Sequence, residues 1–173
     1  DYHFDAAKTM FCFGNNTERM RHATFPCAGE TVVDLYAGIG YFTMPLLRAG
    51  AHVVHAFEWA PHTAAALRLS LDANGLADRC RVYDMDNCHA LDLLGPIAHR
   101  VSLGLTPSSR ASWPHASRLL HPQGGVLHIH ENVKVPAPPP TTTDAASSSA
   151  ASSSADRNRA AFDTWGRDVA RDI

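Results

Sequence analysis

The stretch "TVVDLYAGIGYFTMPLL", residues 31–47, decides the fold, because it changes from a strand pattern to a helix pattern within a few residues. The β-branched apolar run 31–37 predicts a buried strand. Gly38 and Gly40 end that strand, and residues 41–48 have a helical pattern that stops before Gly50. A strand, a glycine turn and a helix in this order are typical of the first unit of an open α/β sheet.

The same alternation continues to about Val133. Further strands are predicted at 51–58, 79–86, 99–106 and 124–132. A helix is predicted from Pro61 to Gly75, and Ser108 and Ser109 can cap another that runs through Leu120. Strands separated by helices pair in parallel through right-handed crossovers. The sequence therefore predicts an α/β fold of the Rossmann type, an open and mostly parallel sheet with helices on both faces.

Composition narrows the class of protein. The chain has 173 residues and 45% apolar content, which is enough for one core. Lys and Arg number 15 against 17 Asp and Glu, so no basic surplus indicates binding to nucleic acid or membranes. No apolar run is long enough to span a membrane and no leader pattern is present, so we expect a soluble, cytoplasmic protein. The four cysteines form no C-x-x-C pair, which favours free thiols over a zinc cluster or disulfides.

The domain organisation follows from a sharp change in composition after Val135. We assign residues 1–135 to the catalytic domain and residues 136–157, which are rich in Pro, Ser, Thr and Ala, to a disordered low-complexity insertion. Residues 158–173 return to helical spacing, so we expect a short helix that docks on the domain. The chain begins with Asp1 rather than Met, and we expect a fragment that is truncated at both ends.

Polar residues follow three successive predicted strands. In open α/β sheets ligands bind beyond the carboxyl ends of the strands, where the strand order reverses. Gly38 permits close approach of a ligand, Glu58 can accept both hydroxyl hydrogens of a ribose, and Asp86 with Asn87 can frame an adenine edge. The two glycines alone fit a plain turn equally well. Together with the three polar side chains, they predict a nucleoside-containing cofactor.

The identity of that cofactor depends on a missing glycine. "AGIGYFT" has Thr43 where the dinucleotide fingerprint has its third glycine, so a pyrophosphate at the helix N-terminus is not indicated. S-adenosylmethionine fits better, because it carries a ribose and an adenine but no phosphate.

Several ordered blocks make the chain recognisable. They are "MFCFGNNTERMR", "DLYAGIGYFTMPLL", "FEWAP", "NGLADRC", "DN", "RVSLGLTPSS" followed by "SW", and "GGVLHIHENV". Over about residues 10–133, and in the helix near Trp165, the chain closely resembles the TYW2 family of wybutosine-synthesising tRNA aminocarboxypropyltransferases, which are related to the tRNA guanine-37 N1-methyltransferases (Trm5). The resemblance implies a class I methyltransferase fold and S-adenosylmethionine as cofactor.

The resemblance also implies a reaction and a partner. Family members move the 3-amino-3-carboxypropyl group of S-adenosylmethionine to C7 of 4-demethylwyosine at position 37 of tRNA-Phe and release 5′-methylthioadenosine. An N-terminal region of the family helps to hold tRNA, so we expect the tRNA-binding region to lie outside this chain. No membrane and no metal are expected.

The family's cofactor contacts carry over to matching positions. Cys12 stands where the family has Ser, and Arg19 matches a basic residue that could pair with the methionine carboxylate. The complete expected cofactor-binding set is Cys12, Arg19, Asp34, Gly38, Gly40, Glu58, Trp59, Asp86 and Asn87. Trp59 could also stack on a base or simply cover the core.

Two blocks separate the transferase branch from the methylating one. The methyltransferases have D-x-N-P and N-L-P where this chain has "EWAP" and "GLTPSS". Gly104 replaces an Asn that lies near the target base in the relatives, so Gly104, Pro107 and Ser108 are the expected substrate-side residues. A tRNA guanine-37 methyltransferase and an inactive S-adenosylmethionine-binding module remain alternatives.

His128 and His130 share one face of a predicted strand, but no third ligand for a metal is apparent in the sequence. Asp86 could act as a general base, but its adenine-side role is favoured, and no catalytic residue is assigned from the sequence.

Overall fold

A computed structural model describes residues 1–9, 11–135, 137 and 154–173. Its centre is a five-stranded sheet in the order β3-β2-β1-β4-β5, and every neighbouring pair is parallel. The strands are β1 (Thr31–Asp34), β2 (Val53–Phe57), β3 (Cys80–Tyr83), β4 (Arg100–Leu103) and β5 (Val126–Ile129). The strand order reverses between β1 and β4, which places the ligand-binding crevice of such a sheet beside β1.

Helices cover both faces of the sheet. They are α1 (Asn16–His22), α2 (Thr43–Arg48), α3 (Pro61–Ala73), α4 (Ala90–Leu94), α5 (Trp113–Leu119) and α6 (Ser154–Asp172). Alternate residues of β1 point to opposite faces, so Val32 joins one buried cluster with α2 and α3, and Val33 joins another with α4 and α5. This arrangement confirms the predicted doubly wound α/β fold.

The predicted elements differ from the observed ones mainly at their ends. Each observed strand is shorter than predicted, because apolar residues continue into the loops that follow the sheet. Helices α1 and α4 were not predicted. In α1 only His22 is buried, and in α4 only Ala90 is, so neither helix carries an apolar stripe that could be recognised in the sequence.

The start of α5 differs from the predicted serine cap. Ser109 does not cap a helix with its side chain; its hydroxyl instead accepts a hydrogen bond from the buried indole N–H of Trp113, at 3.1 Å. Ser108 accepts a hydrogen bond from the backbone N–H of Arg110, at 3.2 Å, and a single 3-10 turn, Arg110–Ser112, leads into the helix.

The C-terminal helix begins earlier than expected, at Ser154 rather than at residue 158. The predicted disordered segment 136–157 lies outside the described residues apart from Ala137 and residues 154–157, and the latter form the first turn of α6. Val169 packs against the cluster under α5, and Trp165, Val169 and Ile173 face β5 across a cavity of about 460 Å³. Among the described helices, none combines the length and the apolar character needed to cross a membrane.

A buried ion pair joins the start of β1 to β4. Arg100, which is 5% exposed, donates two hydrogen bonds to the Glu30 carboxylate, at 2.8 and 3.1 Å, and a third to Nε2 of His128. Burial, together with the charge of Arg100, lowers the pKa of His128 to about 3, so this imidazole is neutral at physiological pH.

Candidate cofactor site

A cavity of about 560 Å³ opens at the carboxyl ends of β1 to β4. Its wall comes from four loops and from the start of α5: Leu35, Tyr36, Gly38, Phe57, Glu58, Trp59, Met85, Asp86, Asn87, Cys88, Gly104, Leu105, Ala111, Ser112 and His115. Five of the expected cofactor-binding residues, Gly38, Glu58, Trp59, Asp86 and Asn87, therefore line one space. That space lies at the reversal of strand order, where the sequence predicted it.

Positions 38 and 40 of the turn favour glycine for different structural reasons. Gly38 lines the cavity, and its φ of 55° lies in the left-handed region. Gly40 has a φ of 96° and packs against α3, where an added Cβ would lie 2.8 Å from Leu67 Cδ1. Gly38 thus presents its backbone to the cavity, whereas Gly40 lets the turn fit against the neighbouring helix.

Glu58 ties the end of β2 to the glycine turn. One carboxylate oxygen accepts the backbone N–H of Gly38 at 3.0 Å, and the other accepts the backbone N–H of Ala60 at 2.8 Å. Each oxygen retains a second lone pair for a ligand hydroxyl. Trp59 follows at the rim of the cavity and is 76% exposed, so its ring is free to cover a bound ligand.

Asp86 and Asn87, the polar pair after β3, both line the cavity but differ in their hydrogen bonds. Asp86 accepts the backbone N–H of Cys88 at 2.8 Å, and this hydrogen bond lowers the pKa of its carboxyl. The Asn87 amide is already engaged: it donates to the Leu35 carbonyl at 2.8 Å and accepts from the Ser112 hydroxyl at 3.3 Å. The amide keeps a second N–H and a second lone pair, so the contact of Asn87 with adenine stays a prediction, as does that of Asp86.

Asp34 lies beneath the turn and not in the cavity wall. It is fully buried, and it accepts hydrogen bonds from the Thr43 hydroxyl at 2.7 Å and the Tyr36 backbone N–H at 3.4 Å. Burial raises the pKa of Asp34 to about 6. Its role in the described structure is to hold the turn against the start of α2, and Thr43, at the missing-glycine position, is its partner.

This buried carboxyl gives a pH-dependent prediction. Because the folded pKa of Asp34 exceeds its unfolded value of 3.8, its contribution to stability is complete below the unfolded value and is lost as pH rises through about 6. Asp34→Asn keeps the shape without the titration. We expect the stability of the variant relative to wild type to increase between pH 4.5 and 7.5, as measured by urea unfolding at both pH values. A stability difference that is constant with pH would contradict the assignment.

Cys12 and Arg19 are not brought into this cavity. The backbone N–H of Cys12 donates to the Tyr41 hydroxyl at 2.8 Å. The Arg19 guanidinium lies 5.1 to 5.9 Å from the ring centroids of Tyr2, Phe11 and Tyr41, and it lines a separate cavity of about 200 Å³. Cation–π attraction to three rings keeps the charge on that side of the turn. The pairing of Arg19 with a methionine carboxylate stays a prediction.

The substrate-side residues are also separated. Gly104 lines the cavity, but Pro107 and Ser108 do not. The Pro107 carbonyl instead accepts the backbone N–H of Asn132 at 3.0 Å, which ties this loop to the segment after β5.

The wall residues that were missed in the sequence include Tyr36, Ser112 and His115. Tyr36 and Ser112 hydrogen-bond through their hydroxyls, and Ser112 continues to Asn87, so these residues connect the ends of β1 and β3 with the start of α5. His115 lies in the wall near Asp86, and burial lowers its pKa. Ser112 and His115 could have been found because the loop after β4 leads into α5 at the same edge of the sheet, and Tyr36 because it lies two residues after β1.

A second titratable cluster lies behind this wall. Glu18, His22 and His130 have ligand-type atoms within 4.8 Å of one another, so a third group that the sequence did not reveal approaches the strand histidine from α1. The Arg21 guanidinium donates two hydrogen bonds to Glu18 and lowers the pKa of that carboxyl to about 2. A divalent cation would have to displace or face this positive charge, so the geometry favours a hydrogen-bonded cluster over a metal centre.

Comparison with known proteins identifies the family. The TRM5/TYW2 methyltransferase domain matches residues 1–146. The tRNA wybutosine-synthesizing protein 2 homolog of Mus musculus is 55% identical over 135 residues, which are 77% of this chain and 30% of that protein. The chain thus spans about 30% of the length of this relative and of the Homo sapiens homolog.

Solved structures agree with this match. The crystal structure of P. horikoshii TYW2 in complex with MeSAdo is 34% identical, with a TM-score of 0.67 over 73% of this chain and 47% of that chain. The M. jannaschii TYW2 structure in complex with AdoMet is 31% identical, with a TM-score of 0.69 over 75% of this chain and 58% of that chain. The chain belongs to the TRM5/TYW2 methyltransferase domain family.

Proposed function

We propose that this chain is the S-adenosylmethionine-binding part of a tRNA aminocarboxypropyltransferase. The reaction would transfer the 3-amino-3-carboxypropyl group to C7 of 4-demethylwyosine at position 37 of tRNA-Phe and release 5′-methylthioadenosine. The observation that carries the proposal is the close similarity to tRNA wybutosine-synthesizing protein 2 homologs. The two similar solved structures, which hold MeSAdo and AdoMet, support the cofactor.

The residues of the cavity fit this cofactor. Gly38 offers backbone without a Cβ, Glu58 retains free lone pairs for the two ribose hydroxyls, and Asp86 can accept the adenine amino group. The apolar side chains of Phe57, Met85 and Leu105 supply a surface for the adenine ring. Among the described residues that line the cavity there is no Lys or Arg, which suits a ligand without phosphate.

The chemistry rests on orientation. S-adenosylmethionine supplies a sulfonium leaving group, so the protein has chiefly to hold the attacking carbon in line with the correct carbon of the cofactor. In this proposal Glu58 and Asp86 hold the nucleoside, and Gly104 leaves room for the acceptor base. The hydrogen bonds between Tyr36, Ser112 and Asn87 keep the loops that carry these groups in register.

We extend the proposal to the tRNA substrate, the absence of a metal and the cellular location. The substrate would be tRNA-Phe, the transfer would use no resident metal, and the location would be cytoplasmic. The free thiols of Cys12, Cys27, Cys80 and Cys88 suit a reducing compartment.

The bond that breaks distinguishes this function from its rivals. With S-adenosylmethionine labelled separately on the methyl and carboxyl carbons, we expect the full-length protein to deliver only carboxyl label to tRNA-Phe that carries 4-demethylwyosine. The methyl label should remain in 5′-methylthioadenosine, as followed by chromatography. Methyl label on the tRNA would indicate a methyltransferase instead, and cofactor binding without any transfer would indicate an inactive binding module.

A further inference from the structure

Phe42 packs behind Gly104, the wall residue beside which the proposed function places the acceptor base. It precedes α2, is 6% exposed, and forms a triangle of rings with two histidines. The ring centroids of Phe42 and His22 are 4.4 Å apart, those of Phe42 and His130 are 4.6 Å apart, and those of the two histidines are 5.6 Å apart. The planes of Phe42 and His130 differ by only 7°. The ring therefore has aromatic neighbours that restrict its movement.

The two histidines are held by one residue of α1. His130 Nε2 lies 3.2 Å from a carboxylate oxygen of Glu18, and His22 Nδ1 lies 2.9 Å from the backbone carbonyl oxygen of Glu18. Arg21 holds the Glu18 carboxylate in turn. Moving the Phe42 ring would disturb both histidines and these hydrogen bonds, so the position of the ring is fixed from behind.

Gly104 packs on the front of this ring. A Cβ at position 104 would lie 2.9 Å from Phe42 Cε2 and 3.0 Å from Phe42 Cδ2, which is closer than carbon atoms approach without displacement. Gly104 also lines the cavity. Without a side chain, the backbone of Gly104 can retreat onto the ring, and the cavity gains that width.

We infer that Phe42 is a specificity-determining residue of the acceptor site, because it sets how far the Gly104 wall retreats to admit a tricyclic base. The inference rests on the proposed function. Phe42 acts through Gly104 and does not line the cavity itself, so it is a positioning residue. Any side chain at position 104 must push either the fixed ring backwards or the wall into the space for the base.

The test is second-site rescue in the full-length protein. We expect Gly104→Ala to lower kcat/KM for tRNA-Phe carrying 4-demethylwyosine by at least about tenfold, because overpacking against a fixed ring moves the wall. The affinity for 5′-methylthioadenosine, measured by calorimetry, should change by less than about twofold, since its contacts lie on the Glu58 and Asp86 side. Adding Phe42→Leu to Gly104→Ala should return the rate to within about threefold of Phe42→Leu alone.

Gly166→Ala is the matched control, because an added Cβ there meets nothing within 4 Å. Thermal unfolding of every variant separates misfolding from a changed site. Folded Gly104→Ala protein that transfers as well as wild type, or that Phe42→Leu fails to rescue, would overturn the inference. A wild-type protein that binds 5′-methylthioadenosine but transfers nothing would refute the proposed function, and the inference with it.

Discussion

Replacing Glu58 with Ala should weaken the binding of S-adenosylmethionine by roughly 30-fold or more, which corresponds to about 2–3 kcal/mol for charge-assisted hydrogen bonds. Two losses add in this variant. The ribose loses its acceptor, and the backbone N–H groups of Gly38 and Ala60 lose theirs, so the glycine turn is no longer fixed in the form that meets the ligand. Isothermal titration calorimetry with S-adenosylmethionine measures the effect directly.

Two further variants sharpen this prediction. Glu58→Gln keeps the shape and one acceptor oxygen, so we expect an affinity between those of wild type and Glu58→Ala. Asp92→Ala removes an exposed acidic residue of α4 that does not line the cavity, and it should bind like wild type. Undiminished affinity in Glu58→Ala would show that the nucleoside does not lie at the end of β2.

Replacing Glu30 with Ala should lower the free energy of unfolding by about 3 kcal/mol or more, because it leaves the buried Arg100 charge without its partner. The side chain of Arg100 is only 6% exposed, and its remaining polar neighbour is the neutral His128, which accepts a hydrogen bond but carries no opposite charge. Urea unfolding followed by circular dichroism gives the free energy and also shows whether the transition remains cooperative.

An exposed ion pair in α6 is the matched control for the buried pair of Glu30 and Arg100. Arg171 and Asp168 form an ion pair in α6 with side chains 71% and 38% exposed, so Asp168→Ala should cost less than about 1 kcal/mol. The double variant Glu30→Leu with Arg100→Met should recover most of the loss, because it removes both charges together. Equal costs for Glu30→Ala and Asp168→Ala would mean that the buried charge is solvated or otherwise balanced.

The part of the structure that could be predicted from sequence is the part governed by backbone rules. A β-branched run followed by Gly38 and Gly40 requires a strand and a turn, and parallel pairing then brings the ends of successive strands to one edge. The positions of Glu58 and Asp86 in the cavity could therefore be predicted without knowledge of their neighbours. Gly104 lines the cavity for the same reason, since it follows β4 directly.

The remaining site assignments depend on side-chain packing, which spacing does not reveal. The Asn87 amide is held by the Leu35 carbonyl and by the Ser112 hydroxyl, which belong to other parts of the chain. The side to which Arg19 turns is decided by three aromatic rings. Asp34 stands at the end of a strand like Glu58, but its neighbour Thr43 covers it.

The central place of β1 in the sheet has a consequence for how the chain is synthesised. Val32 pairs with Val54 on one side and with Arg100 on the other, so one edge of β1 lacks a partner until β4 has been made. At typical rates of translation, roughly 3–14 s separate the synthesis of these two strands. During those seconds the backbone N–H and C=O groups along that edge of β1 are open to pairing with other chains, so this edge is a site where the nascent polypeptide can aggregate.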